Sequence, residues 1–323
     1  MPCRIASLIV AITIVLGAAV RDASAQQYPA NPIRLIIPSA PGGSGDILGR
    51  AFAQRAVLGQ PVVVENVPGA TSMIGLTRVA KSPPDGYTLS LGATQSFTVN
   101  PNINKKLTYD PLKDFDPIAM LGLSFSALVV NAGVPAKSVS ELVALAKANP
   151  GKLNFASPGN GSTHHLLGEL FRRAAGIDVV HVPYKGSAQA TVALLAGEVQ
   201  FFFFPVFVDA RSHLASGRLR ALAVTTAKRS SMAPDVPTMS ELGYDVVAPS
   251  WHVLVAPAGT PKAVVRRLAA EVHRINSLDE MKRVFASQGS EPNSMTPEAL
   301  KEYIAAEFAR YGQIVRETGV TVE

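Results

Sequence analysis

Short apolar runs alternate with longer segments of helical periodicity along most of this chain. The short runs are rich in Val, Ile, Leu and Phe, as buried strands are, whereas apolar residues recur every three or four positions in the longer segments. The pattern predicts strands at 33–37, 62–65, 88–92, 118–121, 127–131, 153–157, 179–182, 199–204, 221–225 and 253–256. It predicts helices at 46–58, 72–81, 139–149, 162–176, 188–196, 208–216, 261–277, 278–288 and 297–318. Such alternation indicates an α/β protein with mostly parallel sheets.

Two of the predicted helices carry clear start signals. Ser138 and Glu141 form a capping box at the start of the helix at 139–149. Thr296 precedes Pro297, so the last helix has an N-cap followed by proline at its first position.

The first 25 residues have the pattern of an export signal. Arg4 supplies a positive charge, residues 8–20 are apolar and uncharged, and Ala23 and Ala25 give a small-x-small cleavage site. This apolar run is shorter than the about 20 residues that a membrane-spanning helix needs. Cleavage after Ala25 removes Cys3, the sole cysteine. The mature chain then lacks disulfides and cysteine-based sites, and its expected location is the bacterial periplasm.

The remaining 298 residues are enough for two domains. Two crossings, near 124–127 and 249–251, divide them into lobe 1 (26–126 and 251–323) and lobe 2 (127–250). The net charge of the full chain is +6, but the basic residues occur at most in pairs and are interspersed with acids. That distribution argues against nucleic-acid binding and weakly favours encounter with small anions.

A glycine-rich turn lies between the first predicted strand and the first predicted helix. Gly42, Gly43 and Gly45 have no Cβ and can expose their backbone N–H groups. Ser44 and Asp46 occupy positions where helix caps and first-turn acids belong. A helix N-terminus carries about half a positive charge, so the turn predicts a site for a small anion, in particular a carboxylate. An ordinary capped strand–helix turn is the alternative.

Ten short motifs follow one another in the chain after residue 25. They are YPANPIRLIIP (28–38), DILGR (46–50), VVENVPGA (63–70), PDGYTL (84–89), LTYDPLKDFDP (107–117), GNGSTHH (159–165), VPYKG (182–186), GRLRALAVT (217–225), PDVPT (234–238) and APAGTP (256–261). In this order they resemble the Bug/TctC family, the extracytoplasmic solute receptors associated with tripartite tricarboxylate transporters.

The resemblance implies a two-lobed periplasmic binding protein fold of type II. Each lobe would be a mixed, mostly parallel sheet flanked by helices, with the ligand cleft between the lobes. The implied function is capture of a small organic acid by lobe closure, without catalysis, metal or cofactor. A monomeric receptor of this kind passes its ligand to membrane transporter subunits or presents itself to a sensor protein, and a sensing partner without a transport role stays open as an alternative.

The resemblance also implies two ligand loops and several flanking contacts. From the glycine turn it implies Ala40, Gly42, Gly43, Ser44 and Asp46. From the loop that opens the helix at 162–176 it implies Gly161, Ser162, Thr163 and His164. The flanking contacts are Thr71, Ser72, Ser96 and Tyr184, and for each of these a turn or capping role is an equal alternative. Two helix N-termini that face each other suit a dicarboxylate, or one carboxylate with a polar tail.

Phe204 departs from the family pattern, in which a polar residue, commonly Asp, stands at this position. We include Phe204 among the ligand contacts, as an aromatic wall that replaces a polar contact; a strand buried on both faces is the other interpretation. Residues 205–211 and 71–73 depart from the pattern as well. Since a ligand ammonium group requires a nearby carboxylate, these departures predict a less polar acid, aromatic or short-chain, rather than an amino acid.

Two enzyme hypotheses compete with the receptor. The segment 42–46 nearly matches the G-x-S-x-G motif of hydrolases around Ser44, but Asp46 replaces the last glycine. His165 and Glu169 lie one helical turn apart and could begin a metal site, although no third ligand is evident and a capping or packing histidine is the alternative.

Overall fold

The computed structural model describes residues 28–204 and 207–320, and the side chains of 207–209 are left out of the description. The predicted export signal lies outside the described residues, as does the start of the divergent segment 205–211. None of the helices within the described ranges is long and apolar enough to cross a bilayer.

The strands and helices lie close to their predicted positions. The strands are β1 (Ile33–Ile37), β2 (Val62–Asn66), β3 (Thr88–Ala93), β4 (Phe115–Ser124), β5 (Ala127–Asn131), β6 (Asn154–Ser157), β7 (Val180–Pro183), β8 (Phe201–Phe204), β9 (Leu219–Val224), β10 (Ser250–Pro257) and β11 (Ser290–Glu291). The helices are α1 (Ser44–Arg55), α2 (Met73–Ala80), α3 (Asn100–Ile103), α4 (Val139–Ala148), α5 (Thr163–Ala175), α6 (Ser187–Ala196), α7 (Phe207–Ala215), α8 (Lys262–Ser277), α9 (Asp279–Ser287) and α10 (Pro297–Thr318). A π-helix (Gln95–Val99) precedes α3.

The strands form two sheets, and each sheet with its helices is called a lobe below. The first sheet has the order β11-β4-β10-β3-β1-β2 and the second β7-β6-β8-β5-β9. The second sheet comes from one continuous stretch of chain, whereas β10 and β11 return to the first sheet after it. The prediction of an α/β fold with two mixed sheets is confirmed.

The predicted predominance of parallel pairing needs correction. Within residues 28–204 and 207–320, four strand pairs are parallel and five are antiparallel. The antiparallel pairs all involve β4, β5, β10 or β11. Of these, β4, β5 and β10 adjoin the crossings between the sheets, where the chain enters or leaves a sheet without a crossover helix.

Both faces of each sheet are covered by apolar cores. In β8 the side chains of Phe201 and Phe203 lie in one core and those of Phe202 and Phe204 in the other, as the two-residue period of a strand requires. All four are at most 2% exposed, which favours the interpretation of this strand as buried on both faces over that of Phe204 as an aromatic wall of the cleft.

The last helix, α10, packs against both lobes. Leu300 and Ile304 lie in a core of the first sheet with Trp251. Tyr311 and Ile314, further along the same helix, lie in a core of the second sheet. A helix of 22 residues is about 33 Å long, so it reaches from one lobe to the other.

Hydrogen bonds hold the two crossings between the sheets. The N–H of Ser126 donates to Thr225 Oγ1 (3.2 Å), and the N–H of Thr225 donates to the Ser126 carbonyl (2.9 Å). At the other crossing, the Ser124 hydroxyl donates to the Ser250 carbonyl (3.2 Å). The chain therefore passes between the lobes through short, adjacent segments.

Trp251, the sole tryptophan, lies next to this second crossing. Its side chain is 0% exposed, and its ring centroid is 6.2 Å from those of Phe97 and Tyr303. Its backbone N–H donates to Thr94 Oγ1 (2.7 Å), which joins β10 to the end of β3. The environment of the indole therefore depends on how the side chains pack at the crossing.

We expect the tryptophan emission to be blue-shifted in the ligand-free protein, because the indole is buried among apolar rings. The position or intensity should change when a ligand binds, because the lobe closure that the family resemblance implies would alter the packing at the crossings. Fluorescence titration measures this change, with Trp251→Phe as the control for tyrosine emission. A spectrum that stays constant at saturation would contradict the placement of Trp251 at the moving crossing.

Candidate functional site

The predicted contacts of the first lobe lie along one edge of its sheet. The parallel strands β2, β1 and β3 are neighbours, so their carboxyl ends share this edge. The loops that leave these ends hold Ala40, Gly42, Gly43, Ser44 and Asp46 after β1, Thr71 and Ser72 after β2, and Ser96 after β3. Ligands of open α/β sheets bind outside such carboxyl ends.

The second sheet repeats this arrangement with β7, β6 and β8. Gly161, Ser162, Thr163 and His164 follow β6, Tyr184 follows β7, and Phe204 ends β8. The two edges lie close together, because β4 ends at Ser124 on the first and β5 begins at Ala127 on the second. Three residues of chain span at most about 11 Å.

The N-terminus of α1 has free backbone donors. Gly43 is its N-cap, and no side chain caps the helix. The N–H of Gly42, whose φ is +84°, donates to Asp46 Oδ2 (2.9 Å). The N–H groups of Gly43, Ser44 and Gly45 donate to no acceptor within the described ranges. Unpaired donors at the positive end of a 12-residue helix are suited to an anion.

Asp46 holds the glycine turn (residues 38–43) in place. Besides the Gly42 N–H, its buried carboxylate accepts hydrogen bonds from Arg50 Nε and Asn66 Nδ2, both at 2.9 Å. Burial raises the pKa of this carboxyl, but the bonds from Arg50, Gly42 and Asn66 outweigh that effect and hold the pKa below its ordinary value. The carboxylate is therefore charged at neutral pH and bonded to the protein on three sides.

The loop before α2 is strained. Ala70, Thr71 and Ser72 have φ angles of +45°, +53° and +76°, in the left-handed region that favours glycine. For a residue with a Cβ this conformation costs roughly 1–2 kcal/mol. Asn100 Nδ2 donates to the Thr71 carbonyl (2.8 Å) and so helps to hold the loop. Strain of this kind concentrates at functional sites, which supports a role for the loop.

The remaining first-lobe contacts differ in exposure. Ala40 is exposed and Ser44 is half-buried. Ser96 is buried, and its hydroxyl donates to the Ala93 carbonyl (2.8 Å) and accepts the Ala93 N–H (3.1 Å). The Ser96 hydroxyl therefore closes the turn after β3.

The second loop (residues 158–162) is more fully bonded than the glycine turn. Ser162 is the N-cap of α5: its hydroxyl accepts the His165 N–H (3.1 Å), and its own N–H donates to the Gly159 carbonyl (3.2 Å). The Gly161 N–H donates to His165 Nδ1 (3.2 Å). Among the described residues, the N–H of Thr163 has no acceptor and stays available to a ligand.

His164 connects α5 to a crossing between the lobes. Its Nε2 lies 3.0 Å from Ser126 Oγ, and its Nδ1 lies 3.3 Å from Thr163 Oγ1. Burial lowers the pKa of His164 to about 4, so the ring is neutral at neutral pH. A neutral histidine next to the ligand loop contributes hydrogen bonds without a charge.

Tyr184 and Phe204 lie in one apolar cluster of the second lobe. Phe204 is 2% exposed, and its ring centroid is 5.3 Å from that of Phe202. Tyr184 is half-buried and packs against the same cluster. The ring of Phe204 is thus part of the core at the second edge, and of the two rings only that of Tyr184 is partly exposed there.

The residues of the two enzyme hypotheses are placed as follows. His165 Nε2 lies 4.0 Å from Glu169 Oε1, and the described part of the chain has no group of three metal-ligating side chains. No hydrogen bond joins the Ser44 hydroxyl to a histidine or a carboxylate within the same ranges. Within the described residues, neither Ser44 nor the pair of His165 and Glu169 has the geometry of an assembled catalytic site.

Three residues near the glycine turn were not predicted as site residues. Arg50 and Asn66 hold Asp46, and Arg50 Nη2 also donates to Asn66 Oδ1 (2.7 Å). His252, on β10, lies against α1, where a Cβ added to Gly45 would be 3.5 Å from its Nε2. Asn66 lies in the motif at 63–70, and no periodicity marks the role of any of the three.

A cavity of about 520 Å³ lies elsewhere on the first lobe. Asp116, Thr260, Lys262 and Lys301 are among its lining residues. Asp116 pairs with Ala256 near the far end of β10, whereas Ser250 begins that strand at the crossing. This cavity is therefore at the opposite edge of the sheet from the glycine turn.

Comparison with known proteins gives consistent matches along the chain. A family model described as "Tripartite tricarboxylate transporter family receptor" matches residues 50–320. BugT of Bordetella pertussis is 38% identical over 321 residues, which cover 98% of each chain. R. palustris Rpa4515, solved with adipate, is 32% identical with a TM-score of 0.77 over 91% of this chain and 99% of that one. MatC from Rhodopseudomonas palustris, with bound malate, is 30% identical with a TM-score of 0.72 over 89% of this chain and 100% of that one.

We expect Asp46→Asn to destabilise the protein by about 1–3 kcal/mol. The amide cannot accept from all three donors, and the Arg50 guanidinium loses its ion pair. Because the folded pKa of Asp46 is depressed, its contribution is complete above the ordinary carboxyl pKa and is lost as the pH falls towards the folded value. Denaturant unfolding at pH 7 and at pH 3 measures both effects.

The control for Asp46→Asn is Asp279→Asn, which removes an exposed ion pair with Lys282 and should change stability little. Equal losses of stability in the two variants would show that the bonds of Asp46 do not hold the glycine turn.

Proposed function

We propose a function from the premise that this chain belongs to the tripartite tricarboxylate transporter receptor family. The family and the fold are those of periplasmic solute-binding receptors rather than of enzymes. Within that frame, the protein binds a small organic acid between its two lobes, by residues of both loop edges, and delivers the acid to a membrane transporter.

The free donors of α1 carry this proposal. The N–H groups of Gly43, Ser44 and Gly45 point from the positive end of a helix and have no acceptor in the described part of the protein. A carboxylate supplies acceptors for two or more of them at once. Asp46 cannot fill this role, because its oxygens are already bonded to Gly42, Arg50 and Asn66.

The second lobe suits the other end of the ligand. The N–H of Thr163 is available there, next to the aromatic cluster of Tyr184 and Phe204. Malate and adipate, which are bound to two of the structural neighbours, each carry two carboxylates. We therefore propose a dicarboxylate, or a monocarboxylate with a weakly polar tail, as the ligand class.

Binding drives closure by contact with both lobes. A ligand that touches the glycine turn alone has no preference for the closed state, whereas one that also touches the second loop stabilises closure by the added contacts. The crossings at Ser126 and Ser250 are the places where the backbone changes direction as the lobes move. The closed form then differs in surface shape from the open form, and a transporter can recognise that difference.

We expect small carboxylates, with malate and adipate in the panel, to raise the melting temperature of the protein. Ligand at about 100 times its dissociation constant stabilises the folded state by about 2.7 kcal/mol, which corresponds to a shift of several degrees. A thermal-shift screen measures this, with amino acids and sugars as controls and with protein stripped of co-purified ligand. Mass spectrometry of the acid after incubation distinguishes the two functions, because a receptor returns the acid unchanged and a hydrolase converts it.

A response to sugars alone, or to none of the panel, would overturn the proposed carboxylate ligand. Turnover of a bound acid would instead favour the hydrolase at Ser44.

We expect Ser44→Pro to weaken binding of a responding acid by about 10-fold to 100-fold, because it removes one backbone donor to a charged group. Ser44 is the first residue of α1, a position where proline is well tolerated. The preceding Gly43 has φ −74° and ψ 165°, a conformation compatible with a following proline. Calorimetric titration measures the affinity, and the melting temperature without ligand checks that the fold is kept.

Ser44→Ala is the matched control, since it removes the hydroxyl and keeps the N–H. It should bind within about a factor of three of the unchanged protein. An equal loss of affinity in both variants would assign the contact to the hydroxyl and not to the backbone.

A further inference from the structure

We propose that His165 and His181 are positioning residues that hold the second loop in its ligand-binding form, and that His165 does so only while its ring is neutral. These two residues are called the histidine pair below. The inference rests on the proposed function, because the second loop is the one assigned there to the far end of the ligand.

The histidine pair is a close stack of two rings. The ring centroids lie 3.8 Å apart and the ring planes are inclined by 9°. His165 comes from the first turn of α5 and His181 from β7, so the stack joins two neighbouring elements of the second lobe. Phe155 of β6 stacks on the other side of His181, at 4.9 Å.

Each ring of the pair connects to a different glycine of the second loop. His165 Nδ1 accepts the Gly161 N–H (3.2 Å). His181 Nε2 lies 2.6 Å from the Ser157 hydroxyl, which accepts the Gly159 N–H (3.1 Å) and donates to the Gly159 carbonyl (3.1 Å). Because the hydroxyl proton is used by that carbonyl, His181 Nε2–H is the donor to the Ser157 oxygen, and this contact does not depend on a neutral ring. The loop is thus held at Gly159 and at Gly161, on both sides of the exposed Asn160.

The bond to Gly161 fixes the protonation of His165. Nδ1 accepts this bond only with a free lone pair, so the proton of the neutral ring is on Nε2, which faces Glu169 Oε1 at 4.0 Å. A second proton, on Nδ1, would set two N–H donors against each other and break the contact. Protonation therefore releases Gly161 from α5.

The charged surroundings of the pair are few. Glu169 is the carboxylate next to His165, and Arg172 Nε donates to its other oxygen (2.8 Å). His164, the neighbouring histidine on α5, faces Ser126 and Thr163 rather than the stack. A proton on either ring of the pair thus meets a second imidazole at stacking distance, and the one nearby carboxylate is already paired.

These surroundings favour neutral rings. Burial lowers the pKa of His165, against the opposing effect of Glu169. Burial, with a smaller contribution from His165, lowers the pKa of His181 to about 4. Because the folded pKa of His165 lies below the ordinary value of about 6.5, its hold on Gly161 is complete above that pH and is lost as the pH falls towards the folded value.

The decisive experiment needs no ligand. In the ligand-free protein, NMR follows the Gly161 amide and the ring protons of His165 and His181 between pH 8 and pH 4. We expect the Gly161 amide shift to move together with the protonation of His165. The protection factor of this amide, which compares its exchange with that of an unstructured amide at the same pH, should fall at the same time. A Gly161 amide that stays constant while His165 protonates would overturn the proposal.

Two substitutions of His165 separate positioning from packing. His165→Asn keeps an acceptor near the position of Nδ1 but does not titrate, so the Gly161 amide should stay protected at low pH. His165→Leu keeps an apolar side chain without an acceptor, so the amide should be unprotected at every pH. His213→Asn, on α7, is the control and should leave the Gly161 titration unchanged. Equal pH profiles in the His165→Asn and unchanged proteins would also overturn the proposal.

The binding arm measures the affinity for adipate and malate at pH 8 and at pH 4.5, in the unchanged protein and in His165→Asn. Because the acids themselves take up protons over this range, the two proteins are compared with each other, and we expect affinity to fall at least about fivefold more in the unchanged protein than in His165→Asn. An equal fall in both would show that the histidine pair does not control binding. If neither probe binds at pH 8, the proposed ligand class fails, while the amide titration still decides the role of the pair.

Discussion

The conformation of the glycine turn depends on the hydrogen bonds that the buried carboxylate of Asp46 accepts. The Asp46 carboxylate is 4% exposed and would be costly to ionise without partners. Its partners come from the turn itself (Gly42), from the next turn of α1 (Arg50) and from the end of β2 (Asn66). The carboxylate takes up the Gly42 N–H, and the N–H groups that follow, at Gly43, Ser44, Gly45 and Asp46, have no acceptor within the described ranges. A buried ion therefore fixes the turn from which the start of α1 presents its unpaired donors.

The two edges of the cleft are chemically unequal. The glycine turn presents free backbone donors, whereas the donors of the second loop are mostly bonded within the protein, at Ser162 to Gly159 and at Gly161 to His165. The first edge can therefore stabilise a negative charge. The second edge has fewer unpaired donors and a half-buried aromatic ring, that of Tyr184. A ligand with one strongly anionic end and a less polar end fits this inequality.

Most of the fold could be predicted from the sequence, because apolar periodicity and caps report on local structure. The caps at Ser138 and Thr296 are present as predicted. The π-helix and α3 were missed, since Gln95–Val99 has no helical periodicity and is followed by Asn100 and Pro101. The two-residue β11 is defined by its partner β4 and has no signal of its own.

The candidate site could be predicted only in part. Glycines and caps marked both loops, but the partners of Asp46 and the stack of His165 on His181 depend on side chains far apart in the chain. A pattern within one segment cannot show which distant side chain will occupy a donor. For that reason the sequence could not separate residues that face a ligand from residues that hold the loop.

The position of α10 has a consequence for how the protein is made. Its first half completes an apolar core of one lobe and its second half completes a core of the other. Neither core is closed until the last helix has been synthesised, so a growing chain exposes apolar surface in both lobes until its end arrives. Completion of both cores therefore waits for the same helix, which couples the two lobes at the last step of assembly.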